Sequence, residues 1–418
     1  MKAMIHNLAS VIGGEAVVRI ANYAIVLFIA RNYGASTLGA YAVALSVVTI
    51  LVMFLDSGLQ TAAITQLSAN TANRNRIYGQ LTLCKVALLA VTALLLALYF
   101  AFAQRPFLFV TIGWWLTLRS ILQSFSQLQM SALKSIAKAT SIGTIQFIHG
   151  IALFAGLSVS YRLAWSIGAL LAWVTAAQFL ELFLATSGVW IGGVRPVWGR
   201  PYQLLSLLKI AAPFGLAYGI GNLIIRSDTI VLSKFIPLSE LGVFSAANSI
   251  LLLVYVASWL MGSVLLPEMV RLAHNADDLK HYTKNWARRF ALLTIPGAIL
   301  LSLAAPKLMV VFFGPVFFTS GNLAAVMLLA GPLIVLNSVF TACAIAVNSR
   351  AILLGIYGAT AFVTLVLDFF LARSFGSIGV AFAILIRETF MLLAFRLFAT
   401  RLVWPAAKLE FRPSSGGD

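Results

Sequence analysis

ALLAVTALLLAL, residues 87–98, is an apolar run that a single threonine interrupts, and it lies inside a longer apolar stretch from residue 77 to residue 103. A hydrocarbon core about 30 Å thick takes about 20 apolar residues of α-helix, so the stretch is long enough to cross it. A strand of a membrane barrel would alternate between apolar and polar residues, and this run does not. The stretch therefore predicts a transmembrane helix.

The rest of the chain has the same character. Of its 418 residues, 61% are hydrophobic and only 10% are charged, with 29 Phe and 9 Trp. A soluble chain of this length could not bury so much apolar surface. We therefore expect an all-α integral membrane protein.

Twelve apolar runs, separated by short polar turns, predict twelve transmembrane helices. They cover residues 6–31, 36–58, 77–103, 107–130, 138–160, 163–189, 205–233, 241–266, 288–306, 321–347, 350–372 and 377–400. The first run is too long for the core of a signal peptide and contains Glu15 and Arg19, so we expect it to remain in the mature protein.

The net charge of +17 follows the turns and does not cluster on a soluble domain. If the N-terminus is cytoplasmic, nineteen Lys and Arg lie at or near the cytoplasmic side and six lie outside. Cytoplasmic loops carry this excess of Lys and Arg. The pattern predicts that both termini are cytoplasmic, and it indicates contact with membrane lipid and not with nucleic acid.

The two halves of the chain resemble each other at a nearly constant offset. ALLAVTALLLAL from Ala87 matches ALLTIPGAILLSL from Ala291, and LGAY at 38–41 matches LGVF at 241–244. Chance similarity between apolar helices is the alternative. A repeat with an even number of spans predicts two bundles related by an axis along the membrane normal, with a central cavity.

The polar connection near residue 200 sets the predicted domain boundaries. We expect an N-terminal six-helix bundle at 1–190 and a cytoplasmic linker at 191–204. A C-terminal six-helix bundle then covers 205–400, and a cytoplasmic tail covers 401–418.

Charges inside the spans mark candidate functional residues, because a charge at the bilayer centre costs about 2.5–3.5 kcal/mol on the insertion scale. Glu15, Arg19 and Asn22 recur at helical spacing on one face of the first span. They form either an ion pair within the helix or the lining of a cavity.

A second polar stripe lies in the fourth span, where Arg119, Gln123 and Gln127 share one face. The helix offers Arg119 no carboxylate within reach, so the guanidinium is a candidate for binding an anionic substrate. Amides also connect helices to one another, which is the structural alternative.

The seventh span contains NLIIRSDTIVL, residues 222–232. Helical spacing gives it a continuous polar stripe, which consists of Tyr218, Asn222, Arg226, Thr229 and Ser233. Asp228 is two residues from Arg226, about 200° around the helix, so the two charges should face opposite sides.

Acids in the spans are candidates for ion coupling as well as for contacts within a bundle. The coupling candidates are Glu15, Asp228, Asp368 and Glu388, with H⁺ or Na⁺ as the coupling ion. Glu181, Arg387 and His149 are further embedded polar residues.

Cofactor and enzyme motifs are missing from the sequence. It has no Walker-type phosphate loop, no G-x-S-x-G and no H-E-x-x-H, and Cys84 and Cys343 lack metal-ligand spacing. We therefore expect neither ATP hydrolysis nor a bound metal or cofactor, and the chain should not be an enzyme.

Short motifs in the first two spans carry a family resemblance. ARNYG at 30–34, LGAY at 38–41 and LDSGL at 55–59 are followed in the second half by RSD at 226–228, GVFSAA at 242–247 and PEMVR at 267–271. In this order they resemble the Wzx-type polysaccharide-biosynthesis flippases of the multidrug/oligosaccharidyl-lipid/polysaccharide exporter superfamily.

The resemblance implies a function. Such proteins move undecaprenyl-diphosphate-linked oligosaccharide from the cytoplasmic to the periplasmic leaflet by alternating access, without ATP and with H⁺ or Na⁺ coupling. Carried onto this chain, the cavity residues are Arg19, Arg119 and Arg226, with Asn22, Gln123 and Asn222 beside them. A polysaccharide polymerase and a chain-length regulator are the partners this function implies.

Three alternatives stay open. A multidrug exporter of the same superfamily would use carboxylates such as Asp228 and Asp368 for coupling. A membrane glycan polymerase would need a large outside loop, which this sequence does not provide. A scaffold in a polysaccharide export assembly would leave the embedded charges unexplained.

Overall fold

The computed structural model describes residues 2–69, 73–102, 106–197, 204–347 and 349–399. Nearly all of these residues are helical, and none of them forms a strand. The predicted tail at 401–418 and residues 198–203 of the predicted linker lie outside the described residues. The all-helical class is therefore confirmed for the part of the chain that the structure describes.

Eleven α-helices follow one another along the described segments. They are α1 Lys2–Ala69, α2 Arg74–Phe102, α3 Phe107–Ser135, α4 Ala139–Leu163, α5 Ile167–Ile191, α6 Leu204–Leu232, α7 Leu238–Leu272, α8 Ala276–Phe313, α9 Phe318–Leu328, α10 Gly331–Ala346 and α11 Arg350–Phe398. A 3₁₀ turn, Pro315–Phe317, precedes α9.

Glycine kinks divide the two longest helices. A straight helix as long as α1 would reach about 100 Å, roughly three times the hydrocarbon thickness. Gly34 in α1 and Gly376 in α11 adopt positive φ values of 81° and 59°, which a residue without a Cβ tolerates. Both kinks fall between predicted spans, so α1 and α11 each consist of two helical segments joined at a glycine.

Seven described helices are long and apolar enough to cross a membrane, or eight if one bent pair counts as a single span. That pair is Pro315–Leu328 with Gly331–Ala346, bent by 41°. The sequence predicted one span at 321–347, and the structure bends this region between α9 and α10. Pro332 in the first turn of α10 lacks an N–H and clashes with a continuing helix. The count of twelve crossings stays a prediction.

Two compact units can be distinguished by their internal packing, Met1–Arg226 and Ser227–Asp418. In the first unit, α1 packs chiefly on α4 and α3, and α3 packs on α5. In the second, α7 packs on α10 and α8 packs on α9. The predicted bundle boundaries at 190 and 205 stay predictions.

Corresponding positions of the proposed repeat are buried in both units. Leu38 and Tyr41, just after the Gly34 kink, are 1% and 4% exposed. Leu241 and Phe244, just after the turn into α7, are both fully buried. The repeat itself stays a prediction, but the apolar residues of its matched motifs are buried in both units.

Turns that the charge pattern assigned to one membrane side lie together within each unit. In the first unit, the Tyr33 hydroxyl near the α1 kink donates a 2.8 Å hydrogen bond to the carbonyl of Trp165, between α4 and α5. In the second unit, Ser377 after the α11 kink donates a 2.8 Å hydrogen bond to Glu240 at the start of α7. Their absolute orientation in the membrane stays a prediction.

Small residues let α1 and α4 approach closely. A Cβ at Gly14 would meet the backbone of Gly143 and lie 3.1 Å from the Cβ of Gln146. Gly150, two turns further along α4, lies against Val17 in the same way. Close backbone approach at small residues is typical of membrane helix interfaces. Packing of the first unit therefore depends on the missing side chain at Gly14.

Replacing Gly14 with Ala should destabilise the protein by about 1–3 kcal/mol, because the added methyl overpacks the interface. Gly13→Ala is the matched control, since a Cβ there meets nothing within 4 Å. It should be neutral or stabilise by up to about 1 kcal/mol through helix propensity.

The measurement is denaturant unfolding in mild detergent. A thiol-reactive dye would report exposure of Cys84 and Cys343, which are buried in the fold. Equal stability of the two variants would contradict the close packing of α1 on α4.

Candidate functional site

The predicted stripe in the first span contains an ion pair. Arg19 Nη2 lies 2.5 Å from Glu15 Oε1, one turn away on α1. Both side chains are partly open, with exposed fractions of 44% and 40%. The predicted ion pair between Glu15 and Arg19 is therefore present. The Arg19 guanidinium is still accessible, because nearly half of its side chain is exposed.

Asn22 connects this stripe to α3. Arg119 Nη2 donates a 2.5 Å hydrogen bond to Asn22 Oδ1, and Asn22 Nδ2 donates to the carbonyl of Val18. Arg119 is 8% exposed, and its Nε has no hydrogen-bond partner among the described residues. The partner that sequence reasoning could not find for Arg119 is thus an amide of the other predicted stripe.

These four residues, Glu15, Arg19, Asn22 and Arg119, form what we call the N-terminal polar run. It joins α1 and α3 through one charge-assisted hydrogen bond and keeps an accessible arginine at its Arg19 end. Such a bond is worth more than a neutral one because the donor is ionised. The run is the part of the predicted cavity lining that the structure brings together.

The amides of α3 separate into different environments. Gln127 contacts Gln60 of α1 through their side-chain amides. Gln123 is exposed and does not share that contact. Gln129, one face away, accepts a hydrogen bond from the buried hydroxyl of Tyr78. Amide contacts between helices account for Gln127, whereas Gln123 stays available for a ligand.

The α6 stripe changes its environment along the helix. Tyr218 is 54% exposed, and the carbonyl of Tyr218 accepts a 3.0 Å hydrogen bond from Asn222 Nδ2. Arg226 is half-buried and interacts electrostatically with Tyr41 of α1. Thr229, one turn beyond Arg226, is 3% exposed. The stripe is therefore accessible only in its first half.

A buried polar contact in the first unit joins two residues that the sequence analysis treated separately. His149 Nδ1 of α4 lies 2.6 Å from Glu181 Oε2 of α5. Gln178 donates a 2.8 Å hydrogen bond to the same carboxylate oxygen. The helical spacing of each residue was visible in the sequence, but nothing there indicated that the two helices meet at these positions.

A second polar cluster lies inside the second unit. Arg387 Nη1 of α11 is 2.5 Å from Asp228 Oδ1 of α6, and the two side chains are 1% and 0% exposed. Asp228 thus points away from Arg226, as the helical spacing predicted. Its partner comes from a helix 159 residues later in the chain.

The same guanidinium connects to Glu388 through a tyrosine. Arg387 Nη2 donates a 3.1 Å hydrogen bond to the hydroxyl of Tyr255 in α7, which donates a 2.5 Å bond to Glu388 Oε1. Asn337 of α10 donates a 2.8 Å bond to Glu388 Oε2. Arg387 and Glu388 are adjacent in the sequence and also contact each other directly, since Arg387 Nε lies 3.5 Å from Glu388 Oε1.

Asp368 completes this cluster from the segment of α11 that precedes the Gly376 kink. It is fully buried, and its Oδ2 accepts a 3.2 Å hydrogen bond from Ser227 of α6. Its carboxyl group is also within hydrogen-bonding reach of Asp228. We call Asp228, Asp368, Arg387, Glu388 and Tyr255 the C-terminal acid cluster.

Three of the four predicted coupling acids therefore occupy one site, and the fourth, Glu15, belongs to the N-terminal polar run. The sequence marked Arg387 only as an embedded charge, although it is the centre of the cluster. An arginine in the middle of an apolar span signals that acids must lie near it. Which of the embedded acids they are depends on helix packing.

Comparison with known proteins adds a family and a fold. A family model described as "Polysaccharide biosynthesis protein" matches residues 16–320. No curated protein sequence matches the chain closely enough to count as a relative.

Solved structures resemble the fold over nearly the whole chain. The lipid II flippase MurJ, in an inward closed conformation, matches with a TM-score of 0.78 and 14% identity, over 95% of this chain and 89% of that one. A multidrug resistance MATE transporter of the MOP superfamily, facing inward, matches with a TM-score of 0.73 and 14% identity, over 94% of this chain and 96% of that one. A MOP transporter from Pyrococcus furiosus matches with a TM-score of 0.67 and 12% identity, over 97% of this chain and 96% of that one. At these identities the likeness establishes the fold.

Removing the amide of Asn22 should destabilise the first unit. The Asn22→Ala variant leaves the buried Arg119 guanidinium without its acceptor, which costs about 1–3 kcal/mol. Denaturant unfolding would measure the loss, with Gln123→Ala as a control on the exposed part of the same stripe. The control should stay within about 0.5 kcal/mol of the parent protein. Equal effects of the two substitutions would contradict the Arg119–Asn22 contact.

Neutralising Asp228 should be more costly. Asp228→Asn keeps the shape of the side chain but removes the charge that Arg387 faces, and breaking a buried pair costs about 3–5 kcal/mol. The control is Glu268→Gln, which removes the acid of the exposed pair with Arg271 on α7. Unfolding should detect no change there because water replaces the lost contact. An Asp228→Asn variant as stable as the parent protein would contradict the buried pair.

Proposed function

The chain belongs to the polysaccharide biosynthesis protein family, and from that premise we propose that it is a flippase for a lipid-linked glycan. It moves undecaprenyl-diphosphate-linked oligosaccharide from the cytoplasmic to the periplasmic leaflet of a bacterial inner membrane. Surface polysaccharide such as O-antigen or exopolysaccharide is then built from the translocated units.

The observation that carries this proposal is the accessible arginine in the N-terminal polar run. Arg19 is 44% exposed within a predicted membrane span, although Glu15 already pairs with it. A guanidinium presents several N–H donors in a planar fork that fits the oxygens of a phosphate. Arg19, Arg119 and Arg226 would share the diphosphate, while Asn22, Gln123 and Asn222 would contact the sugars.

The physical task of a flippase explains why a few dispersed cations suit it. The polyprenyl tail is stable in hydrocarbon, so the barrier to translocation comes from the diphosphate and the sugars. Hydrated arginines lower that barrier by replacing water contacts of the head group. Several moderate contacts also allow release, which one tight cage of cations would prevent.

The architecture, the energy source and the partners are also part of the proposal. We propose twelve spans in two six-helix bundles with cytoplasmic termini, which alternate their access around a central cavity. Energy comes from an H⁺ or Na⁺ gradient and not from ATP, with Glu15, Asp228, Asp368 and Glu388 as the coupling candidates. A polymerase and a chain-length regulator would use the translocated units.

A multidrug exporter coupled to H⁺ or Na⁺ is the second candidate. The fold likeness to MATE transporters favours it, because that fold serves drug export in those proteins. Its substrates would be organic cations, which arginines repel and carboxylates attract. The two candidates therefore differ in which embedded charges they need.

Single Arg19→Ala, Arg119→Ala and Arg226→Ala variants should each lower surface polysaccharide in a strain that lacks its own flippase. Losing one charge-assisted contact of about 1.5–3 kcal/mol corresponds to a loss of roughly tenfold or more in transport. Immunoblotting of membranes would check that each variant is present. Arg271→Ala is the control, since Arg271 is an exposed arginine outside both polar clusters.

Parental polysaccharide levels in all three arginine variants would contradict the flippase proposal. Efflux of a cationic dye that survives the combined loss of the three arginines and stops in Asp228→Asn would favour the multidrug exporter instead. Arg19→Lys separates charge from geometry, and we expect it to retain more transport than Arg19→Ala.

A further inference from the structure

The charges of the C-terminal acid cluster do not balance. Asp228, Asp368 and Glu388 contribute three carboxyl groups, and Arg387 faces them with one guanidinium. All four side chains are at most 3% exposed. Two uncompensated negative charges at such burial would cost several kcal/mol each. The excess of acid must therefore be neutralised by something that binds to the cluster.

Two carboxyl oxygens mark where that neutralisation takes place. Asp228 Oδ2 and Asp368 Oδ1 are buried, and neither receives a hydrogen bond from any described residue. Their partner oxygens are satisfied, because Asp228 Oδ1 faces Arg387 and Asp368 Oδ2 faces Ser227. The two carboxyl groups are also within hydrogen-bonding reach of each other. A carboxylate only accepts, so this contact becomes a hydrogen bond when one acid carries a proton.

We propose that Asp228 and Asp368 form a proton-binding site in which one proton is shared between the two carboxyl groups. Asp368 holds the proton and donates it to Asp228, which stays ionised opposite Arg387. The shared proton satisfies both open oxygens and removes one of the two excess charges at once. The proposal deepens the coupling role of these acids, and its meaning for transport rests on the proposed function.

The position of Arg387 makes a proton, and not a sodium ion, the ligand of this pair. A sodium site needs several oxygens converging on one point, and Arg387 Nη1 already takes Asp228 Oδ1 at 2.5 Å. The guanidinium is thus a cation fixed to the protein, and it occupies an oxygen that a metal ion would need as a ligand. A proton needs only the two oxygens that remain open.

The groups around the pair come from four helices. Ser227 precedes Asp228 on α6, where Arg226 lies on the opposite face, and Tyr255 faces Arg387 from α7. From α10, Asn337 is bonded to Glu388. On α11, Tyr357 interacts electrostatically with Glu388, beside Arg387. Glu388 accepts hydrogen bonds at both oxygens from Tyr255 and Asn337, so its charge is better satisfied than that of Asp368.

Infrared spectroscopy of the purified full chain in detergent tests the proposal directly. At neutral pH, the parent protein should show the C=O stretch of a buried protonated carboxyl group, and Asp368→Asn should remove it. Glu15→Gln is the control, since it removes an accessible acid outside the cluster, and it should leave the band in place. A parent protein without the band, or an Asp368→Asn variant that keeps it, would overturn the proposal.

Stability gives a second readout that does not depend on transport. An amide resembles a protonated carboxyl group in shape and donates a hydrogen bond, so Asp368→Asn should unfold at the same denaturant concentration as the parent protein. Asp228→Asn should unfold earlier, because Arg387 loses the carboxylate that lies 2.5 Å from it. Equal destabilisation by both substitutions would contradict the assignment of the proton to Asp368.

A comparison of salts separates proton binding from sodium binding. Replacing choline chloride with sodium chloride at constant ionic strength should not change the unfolding midpoint. A sodium-specific gain that Asp368→Asn abolishes would overturn the proposal in favour of a metal site. These measurements bear on the acid pair alone, whereas polysaccharide transport by the arginine variants bears on the flippase proposal alone.

Discussion

The constraint on which the structure depends is that a charge inside apolar helices must meet a partner. At the centre of a bilayer an unpaired charge costs at least about 2.5–3.5 kcal/mol, and water is not available to replace a missing contact. Arg387 meets Asp228, and Arg119 meets Asn22, each across two helices. The embedded charges therefore connect particular pairs of helices in addition to the apolar packing.

Backbone approach supplies the second condition for such contacts. Gly14 brings α1 against Gly143 of α4, and polar side chains can then reach from one helix to its neighbour. The kinks at Gly34 and Gly376 divide the two longest helices. Glycine therefore has two structural roles. It allows the close approach of two helices at Gly14, and it adopts positive φ at Gly34 and Gly376, and both roles depend on the absence of a Cβ.

The two compact units treat their charges differently. The N-terminal polar run leaves Arg19 accessible beside Glu15, whereas the C-terminal acid cluster encloses Arg387 almost completely. An accessible guanidinium is available to a ligand, while an enclosed one acts as a fixed counter-charge for the acids around it. This difference is the physical reason for assigning head-group binding to one set of charges and proton binding to the other.

The sequence by itself determined the class of the protein, since composition and apolar run length admit only a helical membrane protein, and it indicated the family through its ordered motifs. It also disfavoured a pair between Arg226 and Asp228, because helical spacing places them on opposite faces. Local rules of this kind depend on neighbours along one helix.

Only the tertiary structure decided the partners, which lie far apart in the chain. His149 and Glu181, Asn22 and Arg119, and Asp228 and Arg387 meet because particular helices pack at particular heights. The broken helix near Pro332 shows the same limit, since its apolar pattern continued through the bend. A pattern along one helix gives the face on which a side chain lies, but packing alone determines what that face meets.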